Sequence, residues 1–267
     1  MTATERIWTF VTCLVATLVV VFLATPLVVT ILTSFGSSSL FTLPPPSWSV
    51  RWYQRLTSVR GLGSTLLVSV EIAALSTFSS IVIGGLASIA LVRGRFPGRT
   101  AIGTFLTSPL MLPGLVIGIA LLQAFRFAGL RDVWTSLLLA HMIVTLPYAV
   151  RTIYSSLLLF DFTLVEAART LGCSPMQAYI RVLIPALAPA FITSGIFAFL
   201  ASMDNYAVSI FFTDAWTKTL PIMMLNLAEE QPDPTIAAIS SLLIGLVLIF
   251  LIICDRAIGL RRIVDQH

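Results

Sequence analysis

Long apolar runs alternate with short polar connections along nearly the whole chain. Six of them reach the ~20 mostly apolar residues needed to cross ~30 Å of hydrocarbon. They are about Trp8–Ser34, Ser64–Val92, Ala101–Phe125, Trp134–Tyr154, Ala186–Phe212 and Pro234–Cys254. The pattern predicts an all-α membrane protein with six transmembrane helices. The first run far exceeds the ~7–15 residues of a secretory signal's apolar region, so it reads as a retained helix. Between the first two runs, Gly36–Gly63 is polar and contains Leu43-Pro-Pro-Pro-Ser-Trp48. Three consecutive prolines do not sit inside a helix, so this is a loop, with a short surface helix expected around Val50–Leu56. Pro26, Gly84-Gly85, Pro109, Pro113-Gly114 and Pro147 fall inside the runs. They read either as small-residue helix contacts or as kinks along a pathway that opens and closes.

Composition agrees with this pattern. Apolar residues make up 57% and charged residues 10% of the 267, against ~45–50% and ~25% in soluble domains. The formal net charge of +4 comes from basic residues scattered between apolar runs, so nucleic acid is not an expected partner; membrane lipid is. The three cysteines form no Cys-x-x-Cys, which leaves neither a disulfide framework nor a metal site indicated. With a cytoplasmic N-terminus, Arg6, Arg93, Arg95, Arg99, Arg151, Arg169, Arg181, Arg256, Arg261 and Arg262 lie inside. Arg51, Arg55, Arg60, Arg126, Arg131 and Lys218 then lie outside. The basic excess favours this orientation, with both termini cytoplasmic.

One polar segment between the fourth and fifth runs is too patterned for an ordinary loop. It reads Glu166-Ala-Ala-Arg-Thr-Leu-Gly172 and continues, after nine residues, with Val182-Leu-Ile-Pro185. Thr163 as N-cap with Glu166 three residues on would form a capping box. Gly172 permits a left-handed turn at the helix end. Ser174-Pro175 then starts a second short helix through Tyr179 and Val182, and Pro185 marks entry to the next run. On local sequence alone the segment reads equally as a capped connector or as a surface for a partner.

The spacing Glu-Ala-Ala, three residues, Gly, nine residues, Val182-x-Ile-Pro185 resembles the EAA loop. That loop marks the inner-membrane permease subunits of binding-protein-dependent ABC importers. Val182 and Ile184 stand where the family more often has Ile and Leu. The resemblance spans about Ser64–Ile253. It implies that residues 1–63 hold a first membrane helix and a periplasmic loop. Residues 64–255 then form the transmembrane core, with a cytoplasmic EAA loop at 161–185, and 256–267 a cytoplasmic tail. It implies a coupling helix between spans four and five, with Glu166, Ala167, Ala168, Leu171, Gly172 and Pro185 coupling to an ATPase. The implied partners are a second permease (usually a different chain), two ATPase subunits that bind ATP and Mg, and a periplasmic binding protein. The implied location is the bacterial inner membrane. No cofactor is expected in this chain, and no enzyme activity of its own. Its single lysine, Lys218, lacks the glycine a phosphate loop requires before it.

The stretches Phe199-Leu-Ala-Ser-Met-Asp-Asn-Tyr-Ala-Val-Ser-Ile-Phe-Phe212, Thr219-Leu-Pro-Ile-Met-Met224 and Pro234-Thr-Ile-Ala-Ala-Ile-Ser240 resemble the second permease of spermidine/putrescine importers. Asp204 matches an acidic position of that branch. Asn205 departs from it, and relatives for thiamine, ferric iron and phosphonates share much of the pattern. Glu71 and Asp204 fall inside predicted spans, each roughly 11–12 Å below the outer surface at 1.5 Å per residue. Ionisable groups there are candidates for a pathway, which for a polycation would supply charge-assisted hydrogen bonds. The alternative is a protonated or locally paired acid. His141 in the fourth span lacks an evident metal partner and reads as packed or hydrogen-bonded. Glu229, Glu230 and Asp233 form either a solvated acidic loop or a docking surface for the binding protein. Two other classes stand against the importer reading. An ion-driven secondary transporter usually carries an internal repeat, which is not evident here. A haem-bearing anchor needs more than His141 and His267.

Overall fold

The structure is a computed structural model that describes residues 3–230 and 232–258. The expected tail with Arg261, Arg262 and His267 lies outside the described residues. Thirteen α-helices are present among the described residues, with one isolated β-bridge between Gly36 and Trp48. Four helices are individually long and apolar enough to span a membrane, and two bent helix pairs raise the number to six if each pair counts as one span. Two compact units result, one of residues 1–60 and 224–267, the other of residues 61–223.

In the first unit, α1 (Ala3–Ser34) packs along α13 (Thr235–Ile258), and the short α2 (Arg51–Leu56) packs on α13 as well. The proline-rich loop is therefore anchored, and its surface helix forms where the sequence predicted one. Trp52 is buried and donates its indole N–H to the Gly36 carbonyl at 2.8 Å. Tyr53 hydrogen-bonds Ser34 of α1 at 2.7 Å and Ser241 of α13 at 3.1 Å. Pro26 lies inside α1 without breaking it.

The second unit is built on three packed helices, α3 (Leu62–Arg93), α6 (Val133–Leu159) and α10 (Ala188–Met203). The buried face of α3 is a ladder of small residues, Ser69, Ala73, Ser76, Ser80, Gly84 and Ser88. Without a hydrophobic drive inside lipid, close backbone approach is what holds such helices together. At Gly84 a side-chain methyl would stand 3.0 Å from Ala149 Cβ and 3.2 Å from the Val150 backbone nitrogen. Gly84-Gly85 is therefore a contact point in a continuous helix. Pro147 likewise sits within continuous α6.

Two predicted runs depart from single straight helices. The third consists of α4 (Arg99–Thr107), a 3-10 turn at Ser108–Met111, and α5 (Gly114–Phe127), bent by 114° between its halves. Pro113 has no N–H to donate and forces the residue before it into extended geometry; Leu112 has ψ 145°. The fifth run ends at Met203 rather than Phe212. After a two-residue break, α11 (Tyr206–Ser209) begins, and α12 (Leu220–Glu230) follows further on.

Candidate functional site

Between α6 and α10 the polar segment folds into two short helices with a bend, as its propensities predict. α7 covers Thr163–Thr170 and α8 covers Pro175–Ala178. A π-helical turn at Tyr179–Leu183 and the single turn α9 (Ile184–Ala186) lead into α10. The axis bends by 66° between Pro175–Ala186 and Ala188–Met203. Gly172 has φ +95°, the left-handed geometry that glycine adopts without strain. Ser174 and Gln177 cap α8 reciprocally, Gln177 N–H to Ser174 Oγ at 3.3 Å and Ser174 N–H to Gln177 Oε1 at 3.0 Å.

The capping box expected of Thr163 and Glu166 does not form. Asp161 takes the role, accepting the Thr163 backbone N–H at 2.9 Å. Thr163's backbone and side-chain hydrogen bonds hold the Asp161 carboxyl below the usual carboxylate range. Glu166 is thereby free to pair outward. It accepts from Arg93 at the end of α3 at 2.9 Å and from Arg169 at 3.0 Å. The Arg93 guanidinium also lies 4.7 Å from the Phe162 ring centroid. Nothing in the sequence pattern points to Arg93 as a partner, since 73 residues separate it from Glu166.

α7 has two faces. Val165, 1% exposed, packs in a cluster with Ile153, Leu157, Ala178 and Leu183, and Ala168 lies against that cluster. Leu164, Ala167 and Gly172 are exposed on the other side, with Leu171 at 87% and Met176 at 70%. Pro185 is also exposed, at the approach to the 66° bend. An apolar side chain so open on a segment outside the spanning helices is unusual for a surface not meant to be covered.

The second group of predicted residues sits at the break after α10. Asp204 is the exposed residue that ends this helix, and Asn205 caps α11 by accepting the Val208 N–H at 3.0 Å. The depth counted for Asp204 along a helix to Phe212 therefore does not hold, because the chain leaves helical geometry at that residue. Glu71 is exposed on α3, five residues from the buried Ser76 and so about 140° round the helix from it. Ser76 donates to Ser202 of α10 at 3.3 Å. No hydrogen bond or ion pair joins Glu71 to Asp204 among the described residues.

His141 is 1% exposed and hydrogen-bonded through both ring nitrogens, Nδ1 to Ser202 Oγ at 2.7 Å and Nε2 to Ser209 Oγ at 2.9 Å. It thus ties α6 to the chain on both sides of Asp204-Asn205. Thr145 donates to the His141 carbonyl at 2.7 Å and shares a 2.8 Å hydrogen bond with Ser80 of α3. The sequence pointed to a hydrogen-bonded histidine, but not to which serines held it. No cluster of metal-ligating side chains occurs among the described residues. Of the acidic cluster, Asp233 pairs with Arg55 at 2.8 Å and accepts the Thr235 N–H at 2.9 Å.

Residues 80–266 match the family described as the inner membrane component of binding-protein-dependent transport systems. The chain belongs to that family. This permease is 31% identical over 232 residues to the spermidine/putrescine transport system permease protein PotC of Haemophilus influenzae, covering 87% of this chain and 90% of that one. It is 30% identical over 237 residues to the putrescine transport system permease protein PotI of Escherichia coli K12, covering 85% and 83%. Its fold matches a chain of a bacterial ABC transporter that imports alginate, with TM-score 0.70 at 15% identity, over 95% of this chain and 97% of the other. The inner-membrane ABC importer permease that the resemblance implied is thereby borne out.

Proposed function

We propose that this permease forms half of the translocation pathway of an ATP-driven importer in a bacterial inner membrane, and that α7 docks on an ATPase subunit. The exposed apolar face of α7 at Leu164, Ala167 and Leu171, fixed from behind by Val165, carries this reading. A partner that covers it gains apolar burial at roughly 25 cal/mol per Å². The basic Arg93–Arg99 turn and the charge bias support a cytoplasmic side for α7 and both termini. A second permease, two ATPase subunits holding ATP and Mg, and a periplasmic binding protein complete the machine.

Polyamines such as spermidine or putrescine are the proposed solutes, supported by the names of the PotC and PotI relatives and by the open carboxylate of Asp204 at the helix break. Asp204 and Asn205 are the proposed pathway residues, with Glu71 as a further acidic contact. The test has two arms. Purified alone, the chain should hydrolyse no ATP; expressed with its ATPase it should co-purify, and Leu171→Glu should weaken that association about tenfold or more. Transport by this chain alone on an ion gradient would overturn the reading. In the second arm, the neighbouring binding protein is screened by thermal shift against polyamines, thiamine, ferric iron and phosphonates. Stabilisation by one of the last three, with none by polyamines, would keep the machine and replace the solute.

A further inference from the structure

A cavity of about 300 Å³ opens where the end of α3, the first turns of α4 and the last turns of α6 meet. Its polar lining carries one sign of charge. Arg99 and Arg151 contribute guanidinium groups, Thr100, Thr104 and Tyr154 contribute hydroxyls, and no acidic side chain faces it. Arg99 makes a single long hydrogen bond, to the Gly94 carbonyl at 3.3 Å. The Arg151 side chain and the hydroxyls of Thr100, Thr104 and Tyr154 have no partner among the described residues. Glu166, an acid at this end of the unit, is already held by Arg93 and Arg169. Two guanidiniums lining one space repel each other, and their remaining donors, five in Arg151 and four in Arg99, are shaped to grip an oxyanion bidentately.

Position and walls narrow the anion further. α3 ends at Arg93 and α6 at Leu159, so the cavity lies at the termini of two spanning helices, where headgroups sit in a membrane. Leu91 and Val150 form an apolar portion of the lining. A polar pocket continuous with an apolar flank suits a molecule that has both parts. We infer that this cavity binds the phosphate of an anionic phospholipid, with Arg99 and Arg151 as its ligands. The site is separate from α7 and from Asp204, and the inference holds whatever solute is carried.

The test uses the assembled importer, permeases with ATPase subunits, examined by native mass spectrometry after incubation with phosphatidylglycerol or phosphatidylcholine. The intact protein should retain phosphatidylglycerol in preference to phosphatidylcholine. R99Q/R151Q should lose one bound phosphatidylglycerol per copy of this chain, with affinity reduced about tenfold or more. R6Q/R60Q, which removes the same net charge elsewhere, should retain it. Millimolar inorganic phosphate should neither displace the lipid nor raise the thermal transition. Equal retention by the intact and R99Q/R151Q proteins would overturn the inference. So would a thermal shift with phosphate alone that R99Q/R151Q abolishes, which would mark a site for a free anion. Loss of a partner subunit from R99Q/R151Q on gel filtration would also overturn it, since the cavity would then be a contact between chains.

Discussion

His141 shows how one side chain organises a break in a spanning helix. Its ring nitrogens hold Ser202 before Asp204 and Ser209 after Asn205, so the non-helical pair between them has fixed ends. Backbone that leaves helical geometry at membrane depth survives only where protein groups satisfy it. His141→Phe should therefore remove one hydrogen bond from each of two buried hydroxyls, leaving Ser202 with Ser76 and Ser209 with the Asn205 carbonyl, and lower stability by about 1–2 kcal/mol, read as thermal unfolding of the purified complex in detergent. His141→Asn should recover part of the loss by restoring one bond. A second residue-scale prediction concerns Asp132, which caps α6 by accepting the Thr135 N–H at 2.7 Å. Side-chain and backbone hydrogen bonds from Thr135 hold its carboxyl below the usual range. A depressed acid stabilises fully above its unfolded value of about 3.9 and loses that contribution as pH falls through the folded value. Amide exchange in the first turn of α6 should accelerate, beyond its intrinsic pH dependence, as the carboxylate protonates. In Asp132→Asn, which still caps, that extra acceleration should vanish.

At the scale of elements, α7 is held by packing on one side and by ions at its edge. Surface pairs of this kind contribute about 0–1 kcal/mol each, so Arg93→Gln should barely move the melting temperature. Its expected effect is on orientation, because Arg93 links α7 to the end of α3. ATP hydrolysed per solute transported should rise in Arg93→Gln and Glu166→Gln, and the double variant should be no worse than either single one. Additive losses would show that the two side chains act separately. The two-helix form of this segment was legible because Gly172, Ser174 and Pro175 encode local geometry. The partner of Glu166 was not, because charge pairing across 73 residues depends on how α3 and α7 are packed. The helix break at Asp204 is not legible for a related reason. Apolar residues resume after Asp204-Asn205 and run through Phe211-Phe212, while the stop is written in Asn205 capping and in hydrogen bonds from a helix remote in sequence.

For the whole molecule, apolar runs identify most helices correctly and say little about which faces they turn to one another. Glu71 illustrates the difference. Counting residues puts it level with Asp204, yet it lies about 140° round α3 from Ser76, the residue that hydrogen-bonds Ser202 of α10. Asp204→Ala should lower uptake several-fold while assembly, basal ATPase and solute affinity of the binding protein persist; unchanged uptake would remove Asp204 from the pathway. Glu71→Gln should reduce uptake only if the solute meets both acids. Between α7 and the helix that ends at Asp204 lies the π-helical turn Tyr179–Leu183. A π turn holds one residue more than an α turn of the same rise. The linkage therefore carries one residue of slack. Taking up that residue would turn the chain beyond it by up to about 100° around the axis of the segment before the 66° bend, so a push at one end can arrive at the other as a change of tilt.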